Sequence, residues 1–198
     1  MTDRPDLSAL IGSRICHDLI SPIGAIGNGV ELMLMDGGAK SPELALISES
    51  VANANARIRF FRVAFGAAGG DARIARSEVQ AILTEVTKGS RLRVEWQSDG
   101  EFARREAKLA FLCMQCLETA MPWGGQVRLV QTGPDWIVTG RAPRLKVDPP
   151  LWASLTEPTA DFAITPALVH FAILPDEART QSRRLTVQIA DTEIRMAF

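Results

Sequence analysis

The sequence predicts an α+β protein. Residues 1–70 form an N-terminal antiparallel helical hairpin that builds a dimeric four-helix bundle, and residues 71–198 form an α/β sandwich. Three observations predict this. An apolar repeat of alternating three- and four-residue steps runs down the second helix. A glycine-rich break follows it. Beyond the break, amphipathic helices interleave with short stretches that alternate polar and apolar residues.

The first helix runs from about Asp6 to Met35 and is stopped by Asp36-Gly37-Gly38. Ser41 caps the second helix, with Pro42 in the first turn, where its missing N–H costs nothing. Leu44, Ile47, Val51, Ala54, Ile58, Phe61 and Phe65 then make an a/d seam. A short connection between two long helices makes them antiparallel neighbours. Two helices alone cannot cover both faces of such a hairpin. A second copy can, which gives a homodimer; packing against the C-terminal half is the other way to cover the seam.

Gly66-Ala67-Ala68-Gly69-Gly70-Asp71 reads as the break. Ser77–Lys88 is an amphipathic helix ended by Gly89. Arg91–Gln97 alternates as a strand through Leu92, Val94 and Trp96. Arg104–Met121 is a long apolar helix. Gln126–Gln131 and Trp136–Thr139 form a hairpin around Thr132-Gly133-Pro134-Asp135. Thr165–Leu174 is a helix, and Leu185–Ile189 with Glu193–Ala197 closes the chain as a hairpin. Helices on one face of a mixed sheet follow from this order.

The 22 basic and 23 acidic residues nearly cancel, which argues against a nucleic-acid partner. Three cysteines are too few for a disulfide framework. The start, Met-Thr-Asp-Arg-Pro-Asp, lacks the pattern of a signal peptide. No stretch approaches the roughly 20 apolar residues of a membrane helix. No membrane partner is expected, and the expected location is cytoplasmic.

Histidine is scarce, and His17 is the one whose position suggests chemistry. At 100° per residue, Ile11, Ile15, Leu19, Ile23, Ile26, Val30 and Met33 form one apolar stripe, and His17 falls on the opposite side of the helix. An imidazole aimed at water is a poor structural group and a good nucleophile near neutral pH. Its same-face neighbours are Arg14 and Ser21, three and four residues away, and Gly24, seven residues away. Arg14 can steady a phosphoryl charge, while Ser21 and Gly24 leave room for another protein. Pro22 removes one helical hydrogen bond and is expected to kink the axis beside the histidine.

His17-Asp18-Leu19-Ile20-Ser21-Pro22 resembles the phosphoacceptor box of bacterial sensor histidine kinases. The wider stretch Ser13–Gly29 resembles the dimeric histidine phosphotransferases of bacterial phosphorelays, and the later organisation resembles a histidine-kinase ATP-binding domain. The resemblance implies that His17 carries a phosphoryl group and that adjacent Asp18 orients the imidazole or assists proton movement. It implies a donor in the receiver domain of a hybrid histidine kinase, acceptors among response regulators, and Mg²⁺ held by the receiver. His17 and Asp18 are thus the candidate catalytic pair, and Arg14, Ser21, Pro22 and Gly24 the candidate partner-binding residues.

The ATP-binding features of the kinases are missing. The stretch expected to hold their asparagine box, Leu112–Ala120, contains no asparagine, and Arg141–Pro150 contains no Asp-x-Gly-x-Gly. ATP binding needs close backbone approach to phosphates and a way to hold Mg²⁺. No autokinase activity, bound cofactor or metal is therefore expected of this chain. A rival expectation is a non-catalytic adaptor that docks a receiver or kinase and blocks it.

Three signals read as structural. Cys113 and Cys116 have CxxC spacing but sit in an apolar helix, where small buried cysteines are common. His170 lies in an apolar run and reads as a satisfied core or interface histidine. Arg57, Arg59 and Arg62 read as a solvated face, with contact to an acidic receiver as the alternative.

Overall fold

The computed structural model describes residues 7–36, 42–68, 71–98, 100–157 and 164–198. The expected stop at Gly37-Gly38, the cap at Ser41 and the Gly69-Gly70 part of the break lie outside those residues.

Helix α1 spans Leu7–Asp36 and α2 spans Pro42–Ala64. They pack antiparallel: Gly29 of α1 lies against Ile47, while Asp18, further back on α1, reaches Arg57, further along α2. The approach at Gly29 is close. A Cβ there would stand 2.5 Å from Ile47 Cγ1, so only glycine fits without a shift. Pro22 and Gly29, both buried, mark the side of α1 that meets α2.

This contact changes the reading of both apolar patterns. The predicted stripe of α1 splits: Ile23 and Val30 are exposed, Ile23 at 58%. The reason is that α2 docks on the Pro22–Gly29 side, about 50° round the helix from the stripe's centre. The seam of α2 splits as well. Ala54 and Phe61 are buried, while Leu44, Val51 and Ile58, spaced by seven, are exposed.

The rest of the chain is a layered α/β unit. Two three-residue strands, β1 (Arg73–Ala75) and β3 (Glu101–Ala103), pair antiparallel and bracket α3 (Arg76–Val86) and β2 (Leu92–Gln97). They are too short to show alternation in the sequence. Helix α4 (Arg104–Ala120) is buried along most of its length, as a central layer helix should be. Strands β4 (Gly125–Thr132) and β5 (Asp135–Arg141) pair Thr132 with Asp135, leaving a two-residue turn. Gly133 supplies the positive φ of 61° that such a turn requires at its first position.

A short helix α5 (Pro149–Ala153), unanticipated in the sequence, begins where Asp148 accepts a hydrogen bond from Leu151 N at 3.4 Å. The expected helix over Thr165–Leu174 instead begins as a 3₁₀ turn, Pro166–Leu168, and continues as α6 (Val169–Thr180). Pro175 lies inside this helix. The helix runs through it because Leu174 and Ala178 on either side are both buried. Burial here outweighs the lost backbone bond.

The final hairpin, β6 (Thr186–Ile189) and β7 (Glu193–Ala197), completes a five-stranded sheet of order β2-β4-β5-β7-β6. Only β2 and β4 pair in parallel, and α4 supplies their crossover. Val127, Leu129, Trp136, Val138, Ile194 and Met196 alternate inward, while Arg128 and Arg141 face out. The end of α2 enters the same core: Phe60 stacks on Phe111 of α4 with ring centroids 4.9 Å apart. That contact fixes the base of the α1–α2 pair against α4, directly below the candidate site.

Candidate functional site

His17 stands on the outward side of α1, with 85% of its side chain exposed. Its Nδ1 lies 3.1 Å from Asp18 Oδ1. An ionised carboxylate can only accept, so this contact favours the neutral tautomer with the proton on Nδ1. The lone pair is then on Nε2, the atom further from the helix.

Asp18 is the opposite kind of group. Only 9% of its side chain is exposed. Oδ2 accepts from Arg14 Nε at 2.9 Å and faces Arg57 Nη1 at 3.6 Å. A carboxylate withdrawn from water needs such partners. Arg14 also donates through Nη1 to Ala167 O at 2.8 Å, in the 3₁₀ turn before α6. Its guanidinium thus ties α1 to the C-terminal unit and braces Asp18, an arrangement that helical spacing alone does not reveal.

The other candidate residues fall on two sides of α1. Ser21 and Gly24 are exposed, and a Cβ on Gly24 would meet nothing within 4 Å. Pro22 is buried and so does not share their surface. It lacks the N–H that would have bonded the Asp18 carbonyl, yet α1 is continuous through it.

Beneath Asp18 a cleft opens between the helix pair and the α/β unit. Arg14, Asp18 and Arg57 line one side, and Thr87, Gln115 and Glu118 the other. The surrounding protein raises the Glu118 carboxyl above the ordinary range, and the Arg14 and Arg57 charges pull it back down. Arg57 escaped the sequence reading as a site residue. Its place follows only from the register of the two helices: from the Gly29–Ile47 contact, eleven residues back along α1 reach Asp18 and ten residues on along α2 reach Arg57. The two arginines read with it do different work: Arg59 pairs with Glu85 at 2.9 Å and Arg62 with Glu78 at 3.7 Å, both linking α2 to α3.

Cys113 and Cys116 are free and fully buried, and burial pushes both thiols upward, so neither is a reactive thiolate. Among the described residues no group of three or more His, Cys, Asp or Glu side chains is placed to hold a metal ion. No described helix is long and apolar enough to cross a membrane.

His170 is 1% exposed and only half satisfied. Thr119 Oγ1 donates to Gln115 O at 3.0 Å, so His170 Nε2–H must be the donor in its 3.1 Å contact with Thr119 Oγ1. Among the described residues Nδ1 is then a buried acceptor without a partner. Burial first, and the Arg14 charge second, lower its pKa from 6.5 to about 3. The unfolded chain therefore binds the extra proton between these values, and the fold loses stability as pH falls through that window. Going from pH 7 to pH 5 should cost about 2 kcal/mol through this residue. Urea denaturation of the wild type and His170→Gln at both pH values checks it. The variant should show a pH difference smaller by that amount; equal differences would refute this account of His170.

Comparison with known proteins places the chain. Residues 76–193 match the family model described as the histidine phosphotransferase C-terminal domain. The chain is 40% identical over 150 residues to the protein phosphotransferase ChpT of Brucella abortus (strain 2308), covering 73% of this chain and 71% of that protein. A solved structure, a bacterial phosphotransferase at 1.7 Å, superposes with a TM-score of 0.79 at 31% identity, covering 100% of this chain and 97% of that one.

Proposed function

The chain belongs to the histidine phosphotransferase family, and from that membership we propose that His17 is its phosphoacceptor, shuttling a phosphoryl group between receiver-domain aspartates. The observation that carries the proposal is the geometry of one side chain: an exposed imidazole whose Nδ1 is engaged by a sheltered carboxylate, leaving Nε2 free.

In the forward step Nε2 attacks the phosphorus of an aspartyl phosphate on a receiver. The N–P bond forms, the acyl P–O bond breaks, and the receiver's carboxylate leaves. The imidazole gains positive charge, which Asp18 offsets through the Nδ1–H it holds. In the return step a second receiver's carboxylate attacks phosphorus, and the N–P electron pair goes back to Nε2. No external acid, base or oxidant is needed. Phosphoryl transfer asks mainly for in-line positioning and charge neutralisation. The helix supplies the position, and Mg²⁺ travels with the receiver, so the chain itself needs no metal and no ATP.

The donor in this reading is the receiver domain of a hybrid histidine kinase, the acceptors are response regulators, and all meet in the cytoplasm. Ser21 and Gly24, exposed one and two turns from His17, give the receiver room to approach. Two chains associate through the exposed half of the α2 seam together with Ile23 and Val30 of α1, completing a four-helix bundle. Ile23 and Val30 on α1, and Leu44, Val51 and Ile58 on α2, are all exposed apolar side chains, which supports a second copy as their cover.

The direct experiment incubates the protein with a phosphorylated receiver domain, beside a control with ATP alone. Acid-labile, alkali-stable label on His17 from the receiver but not from ATP is the expected result. Label from ATP would make the chain an autokinase. Label from neither source, across several receivers, would leave a docking adaptor.

A further inference from the structure

We infer that Arg57 is a positioning residue for the phosphoacceptor: reaching from α2, it holds Asp18 in the orientation that keeps the proton on His17 Nδ1 and the lone pair on Nε2. The inference rests on His17 being the phosphoacceptor, but its first consequence, the tautomer of His17, can be read without any transfer reaction.

The argument begins with how Asp18 divides its two oxygens. Oδ1 faces His17 Nδ1, and Oδ2 faces both guanidiniums. Arg14 sits one turn away on the same helix and shares its charge with Ala167 O. It neutralises Asp18 and, through Ala167 O, anchors it toward the 3₁₀ turn before α6. Arg57 comes from the other helix, so its pull fixes the carboxylate across the pair. Its own orientation is set, because Nε donates to Asn53 Oδ1 at 3.0 Å, one turn earlier on α2. A planar guanidinium tethered at one nitrogen presents the remaining N–H groups in a fixed direction.

The charges around the cleft give Arg57 a second effect on Asp18. Glu118 faces the same space from α4, and its charge and that of Asp18 repel each other. Arg14 and Arg57 are the cations set between the two carboxylates. With Arg57 gone, Oδ2 loses one of its two cationic partners and the repulsion from Glu118 is less well screened. Asp18 can then turn away from His17. A free imidazole has no carboxylate to hold its proton at Nδ1, so the population with the proton on Nε2 rises. That form has no lone pair where the phosphorus arrives.

The test compares the wild-type protein, Arg57→Gln and Arg57→Lys. Side-chain ¹⁵N NMR at a pH where His17 is neutral reads the tautomer, and circular dichroism confirms that each protein is folded. His17 in the wild type should be mainly the Nδ1–H form, Arg57→Gln should shift toward Nε2–H, and Arg57→Lys should keep most of the wild-type population. With a phosphorylated receiver, the maximal transfer rate in Arg57→Gln should fall severalfold, in step with the lost Nδ1–H population. The receiver concentration giving half-maximal rate should stay the same.

An unchanged tautomer in folded Arg57→Gln overturns the inference, whatever happens to the rate. A change confined to the half-maximal receiver concentration also overturns it and makes Arg57 a docking contact. If the wild type accepts no phosphoryl group, the phosphoacceptor reading fails, while the tautomer comparison still decides whether Arg57 sets the state of His17.

Discussion

His17→Ala is expected to abolish phosphoryl acceptance completely while leaving the fold and the association of two chains intact. The two halves of that expectation have separate grounds. The loss is total because the acceptor atom itself is removed; no neighbour can form the same N–P bond. The only other histidine, His170, is 1% exposed with its Nδ1 sealed from solvent, so no receiver can reach it. The fold survives because His17 buries almost nothing and has a single polar contact, to Asp18. Substitutions at such surface positions change stability by within about 0.5 kcal/mol. Label transfer, thermal unfolding and sedimentation of one preparation read all three quantities. Label persisting in a folded His17→Ala protein would move the acceptor off His17.

The outward direction of His17 was legible because it needs only the helical repeat. A residue's angle around α1 follows from its number, and His17 lies far from the apolar side. The surroundings of Asp18 were less legible. Arg14 is a helical neighbour and was visible; Arg57 lies on another helix, and seeing it required the register between α1 and α2. That register is set by Gly29 against Ile47, a contact that depends on an absent side chain and so leaves no apolar signal. The same cause explains why the α1 stripe reads as one face in the sequence.

The fold divides similarly. Long elements with clear stops were legible: α3 before Gly89, α4, and the β4–β5 hairpin at Gly133-Pro134. Strands β1 and β3 are three residues each and carry no period. The extension of α6 through Pro175 is a tertiary effect, since what holds it is the burial of Leu174 and Ala178 and not local preference. The parallel pairing of β2 with β4 is likewise invisible to pattern, because alternation reports a buried face and not a neighbour.

The double substitution Val51→Glu, Ile58→Glu is expected to convert a dimer into a folded monomer. Both side chains belong to the exposed half of the α2 seam, Ile58 at 49%, so neither contributes to the core of its own chain. In the proposed dimer each covers the part of its surface still exposed, worth about 1 kcal/mol, and each appears twice by symmetry. Glutamates there remove that gain and add the cost of drying an unpaired charge. The effect on association should therefore far exceed the effect on unfolding. Sedimentation equilibrium reads the first and urea denaturation the second. A monomeric wild type, or a double variant that remains dimeric, would overturn the bundle. The dissociated variant also addresses the chemistry. Arg14, Asp18, Arg57 and the Ala167 carbonyl all come from one chain. A monomer should thus still take label on His17, and a folded monomer that cannot would mean that the second copy helps to hold the receiver.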